Sequence, residues 1–430
     1  MRTIFLFLIF LFALTNQLFA IDIMDALSQA YKNNTELNAE RQNINTSKED
    51  LKISKGNYLP TATITGSKSQ EETNKLTNQS GGDATITDVD PLTTSLKLEQ
   101  TLLDFGRDAD FQKKLIGIEL AEAKLFKKEL DILYKASEAY IDLFITNEIL
   151  KINERNLSLL ERQVENDKVR LERGQITFSD LSQSESSYAG AQAQFIQAKN
   201  EVITNKLDYE NLIGKISDIN SMDKSLVIEF SIPKNLQESI EISKLNNPDI
   251  KIAKLELDQA EKDIKIAESD LSPTATLSYE RSYSEDLSAT YDEREKDIFK
   301  ATISWPFYSG GKKRATVSKN QSIKIRKRLL LDNAMKTNNT IVAAAWSNLQ
   351  SSKSFLNSVR SQVKSAKIAS EGIAEEYERG SRTTLDVIQS NTFLLNAQLS
   401  LANSERNYIL AQYNLLKAIG LLNSNYLKIK

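Results

Sequence analysis

The sequence predicts a mainly α protein with transmembrane β, internally duplicated, with four long-helix segments and four barrel strands per protomer. Three observations carry that expectation. The chain repeats itself, it contains helical stretches longer than a globular domain uses, and between them lie short segments of period-two alternation.

The first twenty residues stand apart. Arg2, the apolar run 4–14 and the small residue Ala20 follow the charged, apolar and cleavage regions of a secretory signal. Residues 1–20 are therefore read as a signal peptide, with the large Leu18 leaving the cut open by a few residues. After residue 20 no apolar run reaches the roughly 20 residues that a spanning helix needs. If the mature chain crosses a membrane, it does so with strands.

The repeat fixes the domain plan. At an offset of 213, Asn33-Asn34 meets Asn246-Asn247, Asp50-Leu51-Lys52-Ile53 meets Asp263-Ile264-Lys265-Ile266, and Pro60-Thr61-Ala62-Thr63 meets Pro273-Thr274-Ala275-Thr276. At an offset of 206, Glu172-Arg173-Gly174 meets Glu378-Arg379-Gly380, and Ile213-Gly214 meets Ile419-Gly420. The copies are placed at 21–214 and 238–420, joined by a linker at 215–237 and followed by a C-terminal tail at 421–430.

Within the first copy, 26–57 reads as one helix that stops before Pro60, as the restriction on the residue before proline requires. A strand hairpin follows at 58–104, with a polar loop at 67–91. Leu96, Leu98 and Leu102 alternate there with Lys97, Glu99 and Thr101. The second hairpin, 273–309, is sharper: Phe299, Ala301, Ile303, Trp305 and Phe307 alternate with Lys300, Thr302, Ser304 and Pro306. One lipid face and one wet face produce this pattern in a membrane barrel, although an ordinary half-buried hairpin produces it too. The segment 281–296 reads as its loop.

From Gly106 to Gly174 there is no proline, and a single helix over that distance is roughly 100 Å long. A return helix then runs to Gly214. Along it Leu181, Tyr188, Phe195, Val202 and Tyr209 recur every seven residues, and three positions on sit Ser184, Ala191 and Ala198. The second copy repeats the seam with Val387, Leu394, Leu401, Tyr408 and Leu415. A large-and-small heptad seam is a packing signal for antiparallel helices, not a ligand-stacking one.

Composition narrows the chemistry. There is no cysteine and no histidine, so thiolate nucleophiles, disulfides, a lipid-bearing Cys, the usual general base and the commonest zinc ligand are all missing. The 55 basic and 58 acidic residues give no basic excess for nucleic acid. Acidic side chains such as those in 124–131 alternate with lysine as solvated helix faces do. No enzyme activity, cofactor or metal is expected.

Four strands per chain are too few to close a transmembrane barrel, so strands in a membrane force oligomerisation. Geometry alone leaves dimer, trimer and tetramer open. Several short motifs in fixed order go further: Ala26-Leu27 with Ala30 and Asn33, Tyr58-Leu59-Pro60, Leu103-Asp104-Phe105-Gly106-Arg107, Pro306-Phe307-Tyr308-Ser309-Gly310-Gly311, and the helical turn from Tyr377-Glu378-Arg379-Gly380 through Ser381-Arg382-Thr383-Thr384 to Leu385-Asp386-Val387. With these marks the whole mature chain resembles the TolC family of outer-membrane factors. The resemblance implies a trimeric α/β-barrel duct in the Gram-negative outer membrane with a helical tunnel in the periplasm. It implies export of drugs or polypeptides from a periplasmic adaptor (membrane fusion protein) and an inner-membrane pump or ABC transporter, with outer-membrane lipid around the barrel. It also implies that 215–237 and the tail form an equatorial belt.

The same resemblance assigns sites. Gly174 and Gly380, at the helix reversals, are implied adaptor-docking points, against the plainer reading that glycine only permits the turn. Tyr377, Arg382 and Asp180 fall on the positions that link neighbouring coiled coils at the periplasmic gate, with Ser179 as the partner for Arg382. Asp386 would place carboxylates around the threefold axis, while Gln389 departs from the family's second acidic position. The plainer reading makes Tyr377 and Arg382 exposed helix-end residues. The alternative function is a periplasmic coiled-coil adaptor, but neither a lipoyl-like half-motif nor adaptor barrel domains are found.

Overall fold

The computed structural model describes residues 22–76, 85–216, 218–223, 232–288 and 291–429. The expected signal peptide, Gly81-Gly82 and part of the 215–237 linker lie outside them. The chain divides into two units, one made of 1–40, 124–250 and 335–430 and the other of 41–123 and 251–334.

Helices α1 (Ile23–Asn33) and α2 (Thr35–Gly56) replace the single helix expected over 26–57. Asn34 causes the break. Its backbone is extended at φ −63° and ψ 124°, and its Oδ1 accepts from the Leu37 amide at 3.0 Å. An asparagine side chain that satisfies a free amide at a helix start makes restarting the helix cheap. The second copy repeats the device: α5 (Leu236–Asn246) ends at Asn247, which caps α6 (Pro248–Ser269) by accepting from the Asp249 amide at 2.8 Å, with Pro248 at the first helical position where it is tolerated.

The unit containing 41–123 and 251–334 carries the strands. Strands β1 (Thr61–Lys68), β2 (Glu71–Leu76), β3 (Thr85–Val89), β4 (Leu92–Leu103), β5 (Thr274–Ser288) and β6 (Tyr291–Ser304) form two sheets. The larger is antiparallel in the order β1-β4-β5-β6, so β1 and β6 are its edges. Both segments expected as loops are partly strand. Segment 67–91 contains the β2–β3 hairpin, and most of 281–296 extends β5 and β6. Cross-strand pairs explain the second case: Tyr279 Oη donates to Asp297 at 2.8 Å and Arg281 pairs with Glu295 at 3.4 Å, so charges read as loop polarity stabilise a ladder.

Four long helices follow the hairpins: α3 (Arg107–Glu172), α4 (Phe178–Leu212), α7 (Lys312–Glu378) and α8 (Thr384–Ala418), of 66, 35, 67 and 35 residues. Among the described residues no helix is long and apolar enough to cross a membrane.

The core lies in the other unit, where Leu27, Leu133, Tyr140, Leu143, Tyr209 and Tyr413 are all at most 2% exposed. The heptad seam buries Leu181, Ser184, Ala191, Ala198, Val202 and Tyr209, whereas Tyr188 and Phe195 are half-buried. Gly420 ends α8 with φ +77°, and a Cβ placed there would sit 2.5 Å from the Asn246 carbonyl oxygen. Only glycine allows this approach of α8 to α5.

Candidate functional site at the helix reversals

The two reversals are built alike. After α3, Gly174 adopts φ +68°, its amide donates to the Leu171 carbonyl, and the Gln175 amide reaches back to the Arg170 carbonyl, both at 2.9 Å. After α7, Gly380 adopts φ +80°, its amide donates to Tyr377 and that of Ser381 to Glu376, both at 3.0 Å. These paired bonds are the Schellman ending, which satisfies the last carbonyls of a helix and calls for a left-handed residue. Nothing lies within 4 Å of a Cβ built on either glycine.

Three residues on, each return helix starts with a capping box. The Asp180 amide donates to Thr177 Oγ1 at 3.2 Å while Asp180 Oδ2 accepts from the Thr177 amide at 2.8 Å. Thr383 and Asp386 repeat this at 3.2 and 3.0 Å. The backbone amide of each threonine, reinforced by its hydroxyl, holds the aspartate carboxyl below its ordinary value of 3.8. Asp180 and Asp386 thus have a local task at the helix start. Ser179 is exposed, next to Asp180 in the chain.

Tyr377 is not an exposed helix-end residue. It is only 7% exposed, and its Oη bonds Asp167 Oδ1 at 2.8 Å and Thr384 Oγ1 at 3.1 Å. Within the protomer the phenol thus has Asp167 as its partner. Asp167 is fully buried, and it also accepts from Ser184 Oγ at 2.5 Å and from Gln163 Nε2 at 3.0 Å. One carboxylate therefore joins side chains from α3, α4 and α7, and Thr384 adds α8. The Arg170 guanidinium lies 4.1 Å from the Tyr377 ring centroid. Burial pushes the Tyr377 phenol above its ordinary value. Arg382 is exposed and pairs with Glu376 at 2.7 Å, across its own turn.

Asp167, Gln163, Ser184 and Thr384 were not singled out as site residues in the sequence. The signal that marks the Asp167–Tyr377 pair is broken repeat symmetry: at the 206 offset Asp167 faces Ile373, and Leu171 faces Tyr377, whereas Ser184 faces Ser390 and carries no such mark. The capping aspartates are shared by both copies, while the buried link is not.

The model of the outer membrane efflux protein family matches residues 26–215 and 240–421. The chain belongs to that family. It is 27% identical over 414 residues to the outer membrane efflux protein BepC of Brucella suis, covering 94% of this chain and 86% of BepC. To the outer membrane protein TolC of Escherichia coli it is 22% identical, over 94% of this chain and 83% of TolC. The alkaline protease secretion protein AprF of Pseudomonas aeruginosa is 20% identical over 99% of this chain and 89% of its own length. The outer membrane channel CmeC of Campylobacter jejuni shares the fold with a TM-score of 0.81 at 17% identity, over 93% of this chain and 85% of CmeC. As a member of the outer membrane efflux protein family the chain is an outer-membrane channel, and the adaptor alternative is not favoured.

Proposed function

We propose that three copies of this chain form one export duct whose tunnel end is held shut by the buried Tyr377–Asp167 link, with Arg382 and the tip aspartates around the opening. The observation that carries the reading is the open four-stranded sheet continued by helices of 66 and 67 residues. Its edges β1 and β6 have backbone donors and acceptors that lipid cannot satisfy, so closure requires other copies. Three sheets of four strands give a twelve-stranded barrel.

At the far end of the helices the exposed glycine turns suit the tips of an adaptor's helices, and an inner-membrane pump would supply cargo through that adaptor. The relatives' names include both efflux and protease secretion, and either cargo fits a water-filled duct. The link within each protomer is a buried hydrogen bond between the Tyr377 phenol and Asp167. Such a bond contributes about 0.5–1.5 kcal/mol, so three copies acting together resist opening while an adaptor can still overcome them.

Planar-bilayer recording tests the assignment. Tyr377→Phe with Arg382→Ser, and separately Asp167→Asn, should raise single-channel conductance with the trimer intact, and Asp386→Asn should weaken block by multivalent cations. Wild-type conductance in both gate variants would place the closure elsewhere.

A further inference from the structure

Between Asp297 and Asp332 the chain has no acidic residue, and the first seventeen residues of α7 contain eight lysines and arginines. Three of the eight are held within their unit. Lys313 Nζ donates to the Asp270 carbonyl at 2.5 Å, and Lys324 and Lys327 pair with Glu261 and Glu256 on α6 at 3.0 and 2.6 Å. The other five, Lys312, Arg314, Lys319, Arg326 and Arg328, are exposed, and among the described residues their side chains have no ion pair or hydrogen bond. The corresponding start of α3 differs, since Asp108 and Asp110 balance Arg107. The excess of positive charge therefore belongs to the second copy alone.

Its position along the chain indicates what neutralises it. Immediately before α7, β6 presents Phe299 and Ile303 on one face, exposed by 74 and 77%, and Trp305, Phe307 and Tyr308 follow its end, exposed by 63, 87 and 84%. Trp305 and Phe307 meet edge to face at 6.1 Å, and the Trp305 indole donates to the Leu271 carbonyl at 3.1 Å. An apolar strand face that ends in Trp and Tyr marks the level of lipid headgroups. Lysine and arginine just beyond that level attract anionic lipid.

We propose that Lys312, Arg314 and Lys319 form a collar that binds the headgroups of anionic phospholipids in the leaflet on the helix side of the barrel. Reach limits the collar to these three. At 1.5 Å per residue Lys319 lies about 10 Å along α7 from Lys312, within the range of a long side chain and a headgroup layer, whereas Arg326 and Arg328 lie more than 20 Å along. That exceeds two Debye lengths of about 8 Å at physiological salt. The proposal rests on the channel reading, because it needs β6 in a bilayer.

The purified full chain, reconstituted in nanodiscs of phosphatidylcholine with or without phosphatidylglycerol, provides the test. The thermal midpoint of trimer dissociation should rise by several degrees with phosphatidylglycerol, and the rise should vanish in high salt. Lys312→Gln with Arg314→Gln and Lys319→Gln should abolish the rise while leaving the midpoint in pure phosphatidylcholine unchanged. Arg326→Gln with Arg328→Gln should retain it. A triple variant that keeps the full response overturns the collar. So does one whose ion selectivity in a planar bilayer changes instead, because its charges then line the duct. Failure of the wild type to conduct at all would count against the channel reading rather than the collar.

Discussion

Asp167 and Gly420 show how single residues set the limits of this molecule. The Asp167 carboxylate is buried yet satisfied by Ser184, Gln163 and Tyr377, and removing it orphans donors at about 1–3 kcal/mol each. It was not legible in the sequence because it sits among Glu165, Lys168 and Arg170 in a stretch that reads as a solvated helix face. Composition cannot tell which member of such a stretch turns inward. The glycines separate by surroundings rather than by backbone angle: Gly174 and Gly380 open onto free space, whereas Gly420 touches Asn246. Gly420→Ala should therefore lower stability by about 1–3 kcal/mol through overpacking, as read by chemical denaturation. Bulky replacements of Gly174 and Gly380 together should abolish transport while trimers still assemble. Normal transport in that variant would leave the turns without a docking role.

At the scale of elements, the hairpins of long helices are defined by their ends. A Schellman ending and a capping box three residues apart satisfy both helix termini locally, which is why the reversals keep the same geometry in both copies despite different side chains. The duplication and the lengths of the four long helices were legible, since both follow from spacing and from the absence of proline. The break at Asn34 was not, although Asn33-Asn34 and Asn246-Asn247 stood out as a repeat; an asparagine pair inside a helical pattern marks either a cap or a tolerated polar face, and only packing decides. The capping aspartates also set a pH response. Their folded values are lowered below 3.8, so their support of α4 and α8 is complete above that pH and is lost as pH falls through the lowered value. Hydrogen exchange corrected for intrinsic rates should show protection falling at the amides of Leu181 and Val387 in acid, and Asp386→Asn should remove the response at Val387.

For the whole molecule, topology is the testable property. Segments 67–91 and 281–296 each join barrel strands at the end away from the long helices, so tags at Gly82 and Ser288 should be labelled on intact cells. Labelling only after the outer membrane is breached would reverse the orientation. Gly82 lies outside the described residues, and Ser288 ends β5. The unpaired edges β1 and β6 have a further consequence for biogenesis. A lone chain gains nothing by entering lipid, because insertion would strip water from two rows of backbone groups before any neighbour replaces it. Entry and association therefore become one event that depends steeply on local chain concentration, and scarce chains stay in the aqueous compartment, where chaperones and proteases meet them first.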